Sequence, residues 1–286
     1  MRARERFAPR RLVLVARDIG RRSARRLGIR LPDQSPRAAF RRSMSRATPP
    51  RGGWHGRLQN RYRSHRIRRF LGAAVRRGEL VFDVGANVGE WSVVMRSLGC
   101  RLVAVEPQAE CVAALRRSFA GDEEVAIVQA AVGDWIGSGE LRPSTTGITH
   151  ASMSGDWRRT ATEKGYMPPE AWLEPIEVPV VTLDSLIERY GEPFYCKVDV
   201  EGFEPEVLRG LSHALPRLDF EFHQDLSSAV EECVERLAEL GEYGYSIFLG
   251  EWPEASGGEL GGRALCDAIS ALEPGMWGMV RARASS

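Results

Sequence analysis

The stretch Val81–Ser92, VFDVGANVGEWS, limits what this chain can fold into more than any other. Leu80–Val84 is a short apolar run that carries Asp83. Gly85, Asn87 and Gly89 follow as a turn, and an amphipathic segment, Trp91–Leu98, begins at once. Those patterns spell strand, glycine turn, helix. Glycine suits positions where the backbone takes positive φ or passes close to a ligand. A helix opening at such a turn offers its first N–H groups to an electronegative partner. A plain strand–helix turn meets the same pattern, so the glycines alone do not decide.

The next strand does more. Leu102–Val105 is apolar and runs into Glu106-Pro107. An acid at the tip of the second strand of such a unit can accept hydrogen bonds from both hydroxyls of a ribose. Glu106 lies 21 positions after Gly85, close to the ~20 of one strand–helix–strand unit. The loop reads D-x-G-x-N-x-G, whereas a dinucleotide pyrophosphate favours G-x-G-x-x-G, and that argues against a dehydrogenase. An acid ahead of the turn, Asp83, suits a cationic ligand such as the amino-acid–sulfonium part of S-adenosylmethionine. The residues point to a nucleoside cofactor of that kind, with Asp83, Gly85, Ala86, Asn87, Gly89, Glu106 and Pro107 as candidate contacts.

Composition separates the chain into two materials. Residues 1–70 hold 22 arginines and no lysine against Glu5, Asp18 and Asp33, a net charge of +19, while the remainder carries −17. The first 53 residues are basic and, from Leu31, rich in Pro, Ser and Arg. They are expected to be disordered apart from a transient helix around Arg10–Leu27. The expected division is therefore an extension, 1–53, and a catalytic domain, 54–286. The extension suits an anionic membrane surface, a nucleic acid or an acidic partner, or is a solvated tail. A nucleic-acid-binding protein is the rival class, but the rest of the chain is acidic and shows no interleaved aromatic and basic residues. No apolar run nears a membrane span, and the Leu12–Ala16 run lacks the marks of a secretory signal. The five cysteines are odd in number, far apart and without C-x-x-C, which suits reduced thiols in a cytoplasm.

Along the chain, Gly56–Arg77 reads as a helix ended by Gly78, and Ala109–Phe119 as another. Val125–Val132 reads as the third strand. The loop after it lies over the base in this topology, making Ala131, Val132 and Asp134 candidates for adenine contact. Residues 140–176 give no clean periodicity. So long a connection is usually functional and is taken as a substrate loop, with His150 either a base or a solvated loop residue. Ile176–Thr182 is a strand and Leu183–Tyr190 a helix. Phe194–Val200 is a buried central strand with Lys197, Asp199, Glu201 and Glu204 at its far end. Pro205 starts a helix, Leu218–Phe222 is a strand ending in Glu221 and His223, and Ser228 is placed to cap a helix over Ala229–Leu240. Tyr245–Leu249 and Trp277–Arg281 are the last strands, joined by a Gly-rich loop. Strands alternating with helices imply a doubly wound α/β sheet, whose ligands sit at the carboxyl ends of strands. Asp83, Glu106, Asp199 and the Glu221–His223 pair all fall at such ends, which marks an enzyme.

With those residues assembled, the chain resembles the FkbM-type methyltransferases. The match lies in FDVGANVGEWS (Phe82–Ser92), AVEP (Ala104–Pro107), QAAVGD (Gln129–Asp134), VTLDSL (Val181–Leu186) and KVDVEGFEPEVLRGL (Lys197–Leu211). The glycine turn is shared by many methyltransferases, whereas the Lys197–Leu211 run is far more specific. The resemblance implies a class I methyltransferase (Rossmann-like) fold of seven strands, mostly parallel with the last antiparallel. It implies O-methylation of a hydroxyl on a sugar, polyketide or similar small metabolite. It also puts Asp83, Gly85, Asn87 and Gly89 on the methionine part, Glu106 on the ribose and Asp199 at the reacting centre.

An alcohol attacks a sulfonium carbon poorly until a base takes its proton. His223 or Asp199 would be that base, with Glu201 and Glu221 orienting it or the acceptor. A second arrangement has Asp199, Glu221 and His223 hold a divalent cation that lowers the hydroxyl's pKa. In a third, Lys197 and the acids form a buried network that supports the fold.

Overall fold

The computed structural model describes residues 54–72, 74–147, 150–250 and 255–285, with side chains from Arg63 onward. The basic extension, with its expected disorder and its Arg10–Leu27 helix, lies outside the described residues, as does the anionic contact expected of it.

Seven strands form the main sheet: β1 (Leu80–Val84), β2 (Arg101–Val105), β3 (Val125–Val128), β7 (Tyr195–Val198), β8 (Arg217–His223), β9 (Tyr243–Leu249) and β10 (Trp277–Ala284). Their spatial order is β3-β2-β1-β7-β8-β10-β9. Only β10 runs against its neighbours. The strand order reverses between the parallel neighbours β1 and β7, so the ends of those two strands open a crevice where ligands of such sheets bind. A second sheet, β4-β6-β5, is built from β4 (Ala131–Val132), β5 (Gly137–Leu141) and β6 (Ile176–Val181).

Alternation along the central strands sorts side chains to two helical layers. Leu80, Phe82 and Val84 of β1, with Cys196, Val198, Phe220 and Phe222, pack against α5 (Leu183–Tyr190), α6 (Glu204–Arg209), α7 (Ser227–Leu240) and α8 (Gly262–Ser270). Val81, Leu102, Ala104 and Tyr195 face α1 (Trp54–Leu71), α2 (Glu90–Ser97) and α3 (Ala109–Ser118). This second face carries a row of charge. In register across four strands stand Asp83, Lys197, Asp219 and Arg281. Each is paired: Lys197 Nζ with Asp83 Oδ1 at 3.5 Å, and Arg281 Nη2 with Asp219 Oδ2 at 2.7 Å. Tyr195 donates its hydroxyl to Asp219 at 2.6 Å.

Several sequence expectations change. The third strand is two: β3 ends at Val128, and Ala131–Val132 leaves it to pair with β6. The first helix stops at Leu71, because Gly72 follows and a turn folds Ala74 and Val75 into the core. Helix α7 begins at Ser227, directly after a short 3₁₀ turn, and has no side-chain cap, so Ser228 does not fill the role given to it. The Gly-rich region before β10 contains α8. The segment expected to be a substrate loop, 140–176, takes in the end of β5 (Gly137–Leu141), a helix α4 (Gly155–Glu163) and a core of Trp157, Ala161, Tyr166, Met167 and Ala171 among its described residues. Ser154 caps α4 by accepting the Trp157 N–H. Among the described residues no helix is long and apolar enough to cross a membrane, and the five cysteines are free, four of them buried.

Candidate active site

At the end of β1 the backbone turns through left-handed residues Gly85 (φ 74°), Asn87 (φ 50°) and Gly89 (φ 90°). Gly85 is required by close approach as well. A Cβ there would stand 1.9 Å from the carbonyl oxygen of Asp199, so no side chain fits between the ends of β1 and β7. The turn is tied to β2: Gly85 and Ala86 donate to the Val105 carbonyl, each at 3.0 Å. Asn87 donates its backbone N–H to Glu106 Oε2 at 2.9 Å. The other oxygen, Oε1, accepts from the Gln108 backbone at 2.9 Å. An ionised carboxylate has about four acceptor positions, so Glu106 retains capacity for further donors. Burial raises its pKa, partly offset by the N–H groups of Gln108 and Asn87.

A cleft of about 510 Å³ opens beside this turn. Glu106, Asn87 and Gln108 supply its polar side, and Ala131, Val132, Leu141, Met153 and Phe203 its apolar walls. Of the residues singled out in the sequence, Gly85, Asn87, Glu106, Pro107, Ala131 and Val132 line the cleft. Asp83, Ala86 and Gly89 stand behind it. Ala86 is packed in the core. Gly89 lies against Leu115, which a Cβ would approach to 2.7 Å. Asp83 points under α2, where Ser92 Oγ donates to its Oδ2 at 2.6 Å. Asp134 pairs with Arg209 at 3.4 Å and is not among the lining residues.

The ends of β7 and β8 bring the remaining candidates together. Lys197 Nζ lies 3.0 Å from Asp199 Oδ2. Burial lowers the Lys197 pKa, but Asp199 and Asp83 outweigh that effect and raise it above its ordinary value. Asp199 and Glu221 are joined by a hydrogen bond. Burial, then the Asp199 charge, raises the Glu221 pKa well above the ordinary carboxylate value. Glu201 has left-handed backbone, φ 55°, and its carbonyl accepts from Ser152 Oγ at 2.7 Å. Burial first, then Glu221, raises its pKa too. Glu204 Oε1 accepts the Val200 N–H at 2.9 Å, and burial lifts that carboxyl to about 7. His223 Nε2 stands 3.4 Å from Glu221 Oε2, and Trp157 stacks on its ring at 4.0 Å. His150 is buried, with Nδ1 3.9 Å from Glu201 Oε1. Burial, then His223, depresses its pKa to about 4, so it is neutral. Asp199, Glu201, Glu221 and His223 thus form one cluster.

Trp157 and Ser152 had no signal in the sequence, since a loop tryptophan and a loop serine carry no periodicity. His150 was visible only as a loop histidine, and its burial comes from the fold of the insertion.

The sequence matches the family profile described as "Methyltransferase FkbM domain" over residues 83–247, more than half of the chain. The chain belongs to the FkbM methyltransferase family. It is therefore an S-adenosylmethionine-dependent methyltransferase, and its strand order is that of the class I fold. Among solved structures, the FkbM domain is similar to a precorrin-6y C5,15-methyltransferase from Geobacter metallireducens, at 11% identity, TM-score 0.41, over 78% of this chain and 86% of that one. It is also similar to a TehB-like methyltransferase from Corynebacterium glutamicum, at 12% identity, TM-score 0.40, over 77% and 88%. A third is an O-methyltransferase from Thermotoga maritima, at 14% identity, TM-score 0.37, over 78% and 64%. Comparison with curated proteins returns no match.

Proposed function

We propose that this FkbM enzyme methylates a hydroxyl group of a sugar, polyketide or similar small metabolite. The observation that carries the reading is the contact between the two halves of the site: the Gly85 turn, which edges the cleft, touches Asp199, which heads the acidic cluster.

The cleft suits S-adenosylmethionine on three counts. Glu106 is inside it with acceptor capacity for a ribose. Small and apolar residues, Ala131, Val132, Leu141 and Met153, offer a slot for a base. Asn87 and Gly85 edge the side nearer the cluster. When bound, that cofactor supplies a methyl group on a sulfonium, an electrophile that needs no further activation.

The protein's part is to position the acceptor oxygen and to take its proton. Asp199 is the base this reading selects. Its side chain keeps 28% of its surface, against 9% for Glu221 and 17% for His223. Lys197 and Glu221 orient it by ion pair and hydrogen bond. His223, the other base suggested by the sequence, is stacked under Trp157. Four buried free thiols support a reducing compartment such as the cytoplasm.

The test combines binding and turnover. Calorimetric titration should show micromolar affinity for S-adenosylmethionine and none for NAD. Asp199→Asn should lower methyl transfer to hydroxylated acceptors by about 10²–10⁴-fold while leaving that affinity within threefold. Full turnover in Asp199→Asn would remove Asp199 from the role and return it to His223.

A further inference from the structure

Glu201 follows β7 and Glu221 and His223 end β8, and their side chains converge. One carboxylate oxygen of each glutamate and one ring nitrogen of His223 lie within 4.8 Å of one another. Glu221 Oε2 faces His223 Nε2 at 3.4 Å. Neither atom has a hydrogen-bond partner, although both are sealed from solvent. The Glu221 side chain retains 9% of its surface, and a carboxyl oxygen buried to that degree without a partner is costly.

The neighbouring groups do not relieve it. Lys197 is engaged by Asp199 and Asp83. Glu204 accepts backbone N–H groups. Asp199, Glu201, Glu204 and Glu221 are thus neighbouring carboxyl groups of which Asp199 is the one ion-paired with Lys197. His150 Nδ1 lies 3.9 Å from Glu201 Oε1.

We propose that Glu201, Glu221 and His223 form a binding site for a divalent first-row transition cation. Two carboxylate oxygens with one imidazole nitrogen suit Mn²⁺, Fe²⁺ or Zn²⁺, whereas Ca²⁺ and Mg²⁺ prefer oxygen throughout. Three protein ligands leave coordination positions open, as catalytic metal sites do. A donor triangle of this size closes on a cation at about 2.1 Å with shifts of roughly half an ångström. Trp157 holds the His223 ring by stacking, and Ser152 holds the Glu201 backbone, the orienting role of groups around a metal. A small recess lined by Gly202, Glu204, Glu221 and His223 among others adjoins the site. Asp199 belongs to the Lys197 pair, so the ligand set differs from the Asp199–Glu221–His223 set suggested by the sequence. A cation here would stand beside Asp199 and hold the acceptor oxygen. The site is a property of the three side chains and holds whichever acceptor is methylated.

The test uses tag-free full-length protein, stripped with chelator and dialysed, with neither cofactor nor acceptor present. MnCl₂ and, separately, ZnCl₂ are titrated calorimetrically, and the Mn²⁺ complex is read by pulsed electron paramagnetic resonance. One equivalent of either ion should bind with micromolar affinity, and the Mn²⁺ spectrum should show coupling to one directly bound imidazole nitrogen. Glu201→Gln should weaken binding at least tenfold. His223→Ala should weaken it about 100-fold and abolish the nitrogen coupling, with the affinity for S-adenosylmethionine reporting that the variant is folded. If His223→Ala does not fold, the nitrogen coupling of the unaltered protein and the Glu201→Gln titration decide. Absence of stoichiometric binding, Mn²⁺ without nitrogen coupling, or unchanged affinity in Glu201→Gln would overturn the site and leave a shared proton as the link between Glu221 and His223.

Discussion

Gly85 and Asp199 meet backbone to backbone: an added Cβ on the first would lie 1.9 Å from the carbonyl oxygen of the second. The φ of 74° at Gly85 compounds the restriction. Gly85→Ala therefore carries a left-handed cost of roughly 1–2 kcal/mol plus the displacement of the β7 end. The expected outcome is a loss of at least about 2 kcal/mol in denaturant-unfolding stability, together with loss of S-adenosylmethionine binding. An Ala variant with unaltered stability would show that the two strand ends separate easily.

Lys197 joins Asp83 to Asp199 in the interior, with 1% of its side chain exposed. Removing one member of a buried ionic group typically costs 3–5 kcal/mol, because the others stay buried without compensation. Lys197→Met, which keeps the volume, should lower unfolding stability by about that amount. Combining it with Asp83→Asn should recover part of the loss, and the coupling in the double-mutant cycle is the quantity to measure.

Glu106→Gln keeps the size of the side chain and removes the charge. Hydrogen bonds to charged groups contribute about 1.5–3 kcal/mol, so calorimetry should show S-adenosylmethionine affinity falling roughly 10- to 150-fold. An unchanged affinity would mean that Glu106 serves only the turn, through Asn87 and Gln108.

Cys100 is fully buried, and burial, then Glu79, raises its thiol pKa from 9.0 to about 11. Between those values the unfolded chain loses the thiol proton and the folded chain keeps it. The folded state binds more protons in that window, so the stability contribution is present below pH 9 and is lost as pH rises toward 11. The full loss is about 3 kcal/mol. Urea unfolding at pH 8 and pH 10.5 should show a smaller alkaline decline in Cys100→Ala than in the parent.

The two stretches that carried the sequence argument are the two that organise the site. Residues 82–92 and 197–211 are contiguous, and their chemistry follows from strand and turn patterns read locally. Glu106 was equally legible, because its role depends on spacing from Gly85. What the sequence left open depends on which face a residue takes and on distant partners. Asp83 sits on the α2 side of β1, where Ser92 and Lys197 meet it, and a motif does not state that parity. The charge row from Asp83 to Arg281 joins residues almost 200 positions apart through strand register. The insertion looked irregular because β5 and α4 are short and their core is separate. Ala131 and Val132 looked like the end of a longer third strand because the apolar run continues across a single polar residue, Gln129. The change of sheet occurs at Gln129-Ala130, where no turn residue marks it.

The insertion between β4 and β6 has its own packed centre around Trp157 and Met167, and it meets the catalytic cluster through few contacts, chiefly Ser152 to Glu201 and Trp157 to His223. The Gly85 turn and Glu106 are held by the ends of β1, β2 and β7 and by Gln108. On the proposed reading the insertion serves the acceptor and the Gly85 turn with Glu106 serves the donor, although Leu141, Ala151 and Met153 of the insertion also wall the donor cleft. Under that reading residues 155–175, which carry α4 and its own core and line none of the donor cleft, are the segment to exchange in a chimaera meant to redirect the enzyme to another acceptor.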